Sequence, residues 1–330
     1  MFFNRLATWR STVQVARSRK LSTYPPPPLR VAWVPQAIFT AAVTVTSFGA
    51  AVWLDARDIS RKAEDDARQR RFGFFGLLGS ESEVVYNRGS TRRPEGFFER
   101  ISSLVRAEWD RLSKSDRTVG GIVAVNTIVF LAWQVKSLET FMANNFLHHP
   151  LSGRSFTLLT SAFSHMSIGH LAFNMFALWS FGSSVINRVF GSTNEFLAFY
   201  FSSAAIASLG SHALTIAALR RGAVGSKLPV LLRKTHIEDV SPSLGASGAV
   251  FAVVGSVYAL FPYTGVNVMF IPYSFDLMSV DLVGLIRGWK VLDHGAHLSG
   301  SLFGIGYTQY GTQLYNVARD RLIKTPPQHD

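Results

Sequence analysis

The stretch SPSLGASGAVFAVVGSVYALFPYTGVNVMFIPYSF, residues 241–275, contains no Asp, Glu, Lys or Arg. An α-helix needs about 20 apolar residues to cross a hydrocarbon core about 30 Å thick, so this stretch can hold a membrane span. Residues 155–187, 196–219 and 294–318 lack the same four residue types. A soluble protein could bury one such helix, but four in one chain predict an all-α polytopic membrane protein.

Six spans are predicted to form a core, and one extra transmembrane helix precedes them (a 1+6 arrangement). The extra helix covers residues 31–54, where Trp33 and Trp53 suit the two membrane interfaces. The fifth core span is the weakest, because Asp281 and Arg287 interrupt it. The predicted core spans are residues 120–135, 168–186, 196–219, 244–261, 277–289 and 295–310.

The sequence divides into five predicted parts. Residues 1–30 are basic, contain no acidic residue and end in a proline-rich spacer, which is typical of an organelle presequence, although a disordered basic tail is an alternative. Residues 31–54 are the N-terminal transmembrane helix. Residues 55–118 are rich in charged residues, which predicts a solvent-exposed hydrophilic connector. Residues 119–310 form the six-helix core, and residues 311–330 form a C-terminal tail.

The net charge of +12 does not indicate nucleic-acid binding. The basic residues lie at the N-terminus and in loops between apolar runs, as in membrane proteins. They are not gathered in a groove among stacking aromatic residues. The chain has no cysteine, which excludes disulfides, thiolate metal sites and a cysteine nucleophile. We therefore expect the lipid bilayer as a partner, no nucleic acid and no cofactor.

Polar residues inside a span are costly, so each one marks a candidate functional position. Ser247 lies between Gly245-Ala246 and Gly248, where small neighbours leave its hydroxyl open to close approach. Close helix packing with an incidental serine is the simpler explanation of this cluster taken alone.

The last span contains a candidate base for this serine. Ala296, Gly300 and Gly304 share one helix face that a neighbouring helix can approach closely, and His297 lies near its edge. If this face meets the helix that carries Ser247, imidazole and hydroxyl come within hydrogen-bond distance, as a base-activated serine requires. A lone histidine at a membrane boundary is otherwise more often an interfacial anchor.

The second core span contains two further polar residues, His170 and Asn174. They are four residues apart, so they lie on one helix face about one turn from each other. Two stacked hydrogen-bond donors could hold a developing oxyanion. Bonding to a neighbouring helix is the alternative, and these two residues alone favour it.

Together the three motifs resemble the rhomboid protease family: His165-x4-His170-x3-Asn174, then Gly-x-Ser247-Gly, then Ala-His297-x2-Gly-x3-Gly, on alternate spans. The N-terminal span, the long connector and the sequence DHGAHLSGSLFG are similar to mitochondrial rhomboids of the presenilin-associated type. This resemblance implies a rhomboid core, intramembrane serine endopeptidase activity and a multi-pass location in the mitochondrial inner membrane.

The resemblance also implies a role for each matching residue. Ser247 would be the nucleophile and His297 its base. His170, Asn174 and the backbone N–H of Ser247 would form the oxyanion hole. His165 matches a position where rhomboids have a structural histidine, so no catalytic role is assigned to it.

Two further residues are expected to support the site. Gly245, after Pro242, suits a loop that descends into the membrane before the helix begins. Phe251 stands where many bacterial rhomboids have a tyrosine that packs on the imidazole, and a phenyl ring can stack in the same way. Asp293 is close enough to His297 to be a third triad member, but the family implies a dyad, so it is left out.

The substrates implied by the resemblance are single-span membrane proteins, including the precursor of a dynamin-like GTPase. One alternative is a catalytically inactive rhomboid-like protein that binds membrane clients, although both Ser247 and His297 are present. A histidine-lined metal transporter is a second alternative, since imidazoles bind several transition metals. A purely structural anchor is a third.

Overall fold

The computed structural model describes residues 33–76, 97–165, 167–221, 240, 242–261, 266–267, 274–275 and 293–323. The predicted presequence and the fifth predicted core span, residues 277–289, lie outside them. The α-helices within them are, in chain order, α1 (Val34–Gly76), α2 (Phe97–Arg111), α3 (Lys114–Trp133), α4 (Glu139–Phe146), α5 (Thr157–Thr160), α6 (Ile168–Arg188), α7 (Thr193–Arg221), α8 (Ser247–Leu260), α9 (His294–Gly306) and α10 (Thr312–Asp320).

The remaining described elements are short. 3₁₀ turns occupy Lys136–Leu138 and Ser161–Phe163, and a π-helical turn, Tyr307–Gly311, joins α9 to α10. In the described part of the chain the strands are β1 (Val266–Asn267) and β2 (Ser274–Phe275), which pair antiparallel. Apart from this pair of two-residue strands, the described elements are helical, so the predicted all-α fold is confirmed.

The length and apolar character of each helix indicate whether it can cross a bilayer. Among the described helices, Val34–Gln69 within α1 and Thr193–Leu219 within α7 are long and apolar enough to cross a membrane, and α3 passes the same test together with the segment Lys136–Phe146, from which it is bent by 94°. α8 has only 14 residues, which is about 21 Å of helix. It covers about two thirds of a hydrocarbon core, so this helix alone is too short to cross it.

The extra N-terminal helix packs along α7 and reaches α10. It continues past the predicted boundary at Leu54 to Gly76, and Asp55, predicted to begin a solvent-exposed connector, is only 6% exposed. Its carboxylate accepts hydrogen bonds from Asn194 Nδ2 at 2.7 Å, Tyr315 Oη at 2.6 Å and Ser192 Oγ. Partners at the N-terminal end of α7 and in α10 thus satisfy this carboxylate, which explains why a charged residue is buried here.

The centre of the fold is the contact of α8 with α9. A Cβ atom built at Gly300 would overlap the carbonyl oxygen of Gly248, and one at Gly304 would overlap that of Ala252. The two backbones therefore touch directly. The predicted glycine face of the last span does meet the helix that begins with Ser247.

Candidate active site

Ser247 is the first residue of α8, and the segment before it is held on both sides. The backbone of Ser243 forms an isolated antiparallel bridge with His148, with N···O distances of 2.8 and 3.0 Å. Gly245 donates its backbone N–H to Ser161 O at 3.0 Å. Its φ of +125° lies in the region that favours glycine, which lets the chain turn into the helix.

The hydroxyl of Ser247 and the imidazole of His297 are brought together. Ser247 Oγ lies 2.9 Å from His297 Nε2. His297 is in the first turn of α9 and is 4% exposed. The ring of Phe251 stacks on this imidazole, with centroids 4.1 Å apart and planes inclined by 6°. This stacking limits rotation of the imidazole out of line with the hydroxyl.

His170 lies beside the segment that leads to the serine. Ser167 caps α6 by accepting the backbone N–H of His170 at 3.1 Å, which starts the helix at this point. A Cβ atom at Gly245 would lie 2.8 Å from His170 Cε1 and 3.1 Å from Nε2. Position 245 therefore needs glycine for two reasons, the backbone angle and the space that the imidazole occupies.

Asn174 is 7% exposed, one turn along α6 from His170. Its Nδ2 donates to His170 O at 2.9 Å, so one hydrogen bond of the amide stays within the helix. The amide has a second N–H, and that hydrogen is the one that an oxyanion-binding role requires.

His165, expected to be structural, is 3% exposed. Its ring packs edge-on against His170, with centroids 5.0 Å apart. This contact supports the position of His170 from the side of the loop before α6. Within the described residues, no three His, Asp or Glu side chains are grouped as a metal site would need.

A small cavity lies beside Ser247, between α7, α8 and the start of α9. Its volume is about 10 Å³, close to the least that holds one water molecule. The polar residues that line it are Ser161, Ser208, Ser243, Ser247 and Asp293. Such a lining suits a hydrogen-bonded water molecule next to the serine.

Two buried histidines near the site were not singled out from the sequence. His148, in the loop before α5, lies 2.8 Å from Thr157 Oγ1 through Nδ1 and 3.0 Å from His212 Nδ1 through Nε2. Burial, with the neighbouring His212 as a smaller cause, lowers the pKa of His148 to about 3. A neutral ring can make both contacts, and it anchors the loop that pairs with Ser243. No spacing in the sequence relates these residues, because they meet only in the fold.

Asp293 is the N-cap of α9. Its Oδ1 accepts the backbone N–H of Ala296 at 3.1 Å, and its Oδ2 accepts the hydroxyls of Ser211 at 2.7 Å and Ser243 at 2.6 Å. The carboxylate therefore joins α7, the segment before α8 and the start of α9. The Asp-x-x-x-His spacing identified this residue, but it gave no indication of its two serine partners.

Comparison with known proteins agrees with this architecture. A Rhomboid domain family model matches residues 152–313. The chain is 30% identical over 299 residues to presenilin-associated rhomboid-like protein A, mitochondrial, of Danio rerio, covering 87% of this chain and 73% of the fish protein. It is 37% identical over 225 residues to the presenilin-associated rhomboid-like protein, mitochondrial, of Homo sapiens, covering 66% of this chain and 54% of the human protein.

A more distant similarity joins the chain to a fungal protein. Rhomboid protein 1, mitochondrial, of Saccharomyces cerevisiae is 32% identical over 214 residues, covering 62% of this chain and 56% of the yeast protein. The matched regions thus span about half the length of the human and yeast proteins and more of the fish protein. With the helical membrane fold and the approach of residues 247 and 297, these similarities establish that the chain belongs to the rhomboid family, among the mitochondrial presenilin-associated rhomboid-like proteins.

Proposed function

We propose that this protein is an intramembrane serine endopeptidase of the mitochondrial inner membrane, with Ser247 as nucleophile and His297 as general base. Family membership supports an intramembrane protease-type function. The observation that carries the finer proposal is the 2.9 Å distance between Ser247 Oγ and His297 Nε2. The mitochondrial relatives support a mitochondrial membrane, and the multi-pass insertion in the inner membrane is part of the proposal.

In the first half-reaction, Ser247 Oγ attacks the carbonyl carbon of the scissile peptide bond, and its proton moves to His297 Nε2. The tetrahedral intermediate then collapses. His297 gives the proton to the leaving nitrogen, the C–N bond breaks, and the acyl group stays on Ser247 as an ester. The stacked ring of Phe251 keeps the imidazole aligned through both proton transfers.

The negative oxygen of the intermediate needs donors placed in advance. The first N–H groups of a helix have no intrahelical acceptor, and Ser247 begins α8. Its backbone N–H, together with the imidazole of His170 and the amide of Asn174, forms the proposed oxyanion hole. The position of His170 over Gly245 supports this assignment.

In the second half-reaction, water hydrolyses the ester. His297 takes a proton from the water as its oxygen attacks the acyl carbon, and returns the proton to Ser247 as the acid product leaves. A bilayer excludes water, so a polar recess beside the nucleophile is required. The cavity of about 10 Å³, whose lining includes several serines, supports this step.

The proposed substrates are single-span membrane proteins. A helix hides its carbonyl groups in intrahelical hydrogen bonds, so a cleavable segment must unwind near the site. Glycine, proline and β-branched residues lower the cost of that unwinding. The precursor of a dynamin-like GTPase stays a prediction that follows from the family resemblance.

Purified full-length protein in proteoliposomes tests the proposal, with a fluorescent single-span reporter whose span contains a Gly-Pro break. We expect wild-type protein to cleave the reporter and to be labelled by a fluorophosphonate. Ser247→Ala should abolish both, because the acyl acceptor is removed, and His297→Ala should abolish cleavage. Ser203→Ala, which changes a buried serine of α7 whose hydroxyl donates to Tyr200 O within the same helix and does not line the cavity, is the matched control. Equal labelling of wild type and Ser247→Ala would contradict the proposal.

The alternative function is client binding without catalysis. It predicts that the reporter associates with wild type and Ser247→Ala equally and is cleaved by neither. The approach of hydroxyl and imidazole favours the protease, because a binding protein has no need of that contact.

A further inference from the structure

We infer that Asp293 is a positioning residue, which sets the distance between nucleophile and base by joining the segment before Ser247 to the helix that carries His297. The inference rests on the proposed function and adds to it a residue outside the dyad. It gives Asp293 no part in proton transfer.

The two members of the dyad come from different elements. Ser247 follows a non-helical segment, and His297 lies in the first turn of α9. A hydrogen bond of 2.9 Å between them requires these elements to be fixed relative to each other. A misplacement of about 1 Å in such a pair can lower a rate about a hundredfold.

Asp293 makes the connection on the base side. Its backbone oxygen accepts the N–H of His297 at 3.1 Å, and its Oδ1 caps the helix at Ala296. The position of the imidazole therefore depends on where Asp293 holds the first turn of α9.

Ser243 makes the connection on the nucleophile side. It lies four residues before Ser247, and its hydroxyl donates to Asp293 Oδ2 at 2.6 Å. Its backbone N–H and carbonyl both pair with His148, whose ring contacts Thr157 and His212. The segment is thus held by its backbone to one loop and by its side chain to α9.

Ser211 provides a matched control within the structure. It donates to the same oxygen, Asp293 Oδ2, at 2.7 Å, but it belongs to α7 and not to the segment before Ser247. Removing either hydroxyl deletes one hydrogen bond of similar length to one carboxylate oxygen. Only removal of the Ser243 hydroxyl deletes the side-chain contact between the segment before Ser247 and the start of α9.

Asparagine at position 293 should preserve the connection. Its Oδ1 can still accept from Ala296. Its NH₂ group takes the place of Oδ2, which accepts hydrogen bonds from two hydroxyls. The two hydrogens of the NH₂ group can instead be donated to those hydroxyl oxygens, because a hydroxyl can accept as well as donate. Both serine contacts can therefore persist with donor and acceptor exchanged. A carboxylate that stabilised the protonated imidazole by its charge could not be replaced in this way.

The test compares Ser243→Ala, Ser211→Ala, Asp293→Asn and Asp293→Ala in full-length protein. The measurements are kcat and KM for reporter cleavage, the rate of fluorophosphonate labelling and the unfolding temperature. We expect Ser243→Ala and Asp293→Ala to lower kcat and labelling about tenfold or more with KM nearly unchanged. Ser211→Ala and Asp293→Asn should stay within about threefold of wild type.

The outcomes separate this inference from the proposed function. If wild-type protein neither cleaves nor is labelled, the proposed function fails and the inference fails with it. If wild type is active and Ser243→Ala matches Ser211→Ala in rate, the inference alone is overturned. Loss of activity in Asp293→Asn to the level of Ser247→Ala would instead assign the carboxylate to the proton transfer. If Asp293→Ala does not fold, the two serine variants still decide.

Discussion

Replacing Gly245 by alanine is the sharpest single perturbation of the site. The new Cβ would lie 2.8 Å from His170 Cε1, where ordinary contact begins at 3.4 Å, so the imidazole would have to withdraw by about 0.6 Å. The φ of +125° also becomes strained, at a cost of about 1 to 3 kcal/mol. We expect a lower unfolding temperature and a loss of activity.

The loss of activity should exceed what strain alone produces. Removing one oxyanion donor costs about a hundredfold to a thousandfold in rate, and displacing His170 removes part of that contribution. We therefore expect labelling of Ser247 by a fluorophosphonate to slow by about tenfold to a hundredfold. The assay measures labelling rate and unfolding temperature on the same sample.

Gly153→Ala is the matched control for this experiment. Gly153 has a φ of +70°, but no atom lies within 4 Å of a Cβ built there. It should therefore lower the unfolding temperature while labelling stays near the wild-type rate. If Gly245→Ala labels Ser247 as fast as Gly153→Ala does, the assignment of His170 to the oxyanion hole is refuted.

Two more substitutions test other contacts. Phe251→Ala should slow labelling by about threefold to tenfold, because an aromatic stacking contact such as that with His297 is worth about 0.5 to 1.5 kcal/mol. Phe251→Tyr, which keeps an aromatic ring, should retain the wild-type labelling rate. An alanine variant that is labelled as fast as wild type would show that the stacking is unimportant. Asp55→Ala should destabilise the protein by about 2 kcal/mol or more, because it leaves buried donors such as Tyr315 Oη unpaired. Asp58→Ala, at an exposed position of the same helix, should change the unfolding temperature little. Equal unfolding temperatures of the two variants would contradict the role of the buried carboxylate.

The charge pattern and the spacing of small residues predicted most of the fold. Runs without charged residues identify spans because a charged side chain is costly within the hydrocarbon core. The glycines at 300 and 304 predicted a close helix contact because their spacing places them on one face. The same face placed positions 247 and 297 near each other on the condition that it meets the helix of Ser247, and the stacking of Phe251 was implied by the family resemblance.

The polar contacts between distant segments could not be predicted. Asp55 looked like the start of a charged connector, because its neighbours in sequence are charged and its partners lie more than a hundred residues away. His148 and His212 belong to different elements, and neither has a recognisable spacing to the other. Such contacts depend on how helices are placed after packing, which local periodicity does not encode.

The backbone contact at Gly300 and Gly304 has a consequence for how the protein tolerates change. Most helix pairs are separated by side chains, and their axes lie about 8 to 10 Å apart. At Gly300 and Gly304 the main chain of α9 contacts the main chain of α8 directly. No side chain lies between them at these two positions, so no change of rotamer there can make room for an added atom. A methyl group added at Gly300 would push against Gly248, the neighbour of Ser247, about one turn from His297, so it would separate the hydroxyl from the imidazole.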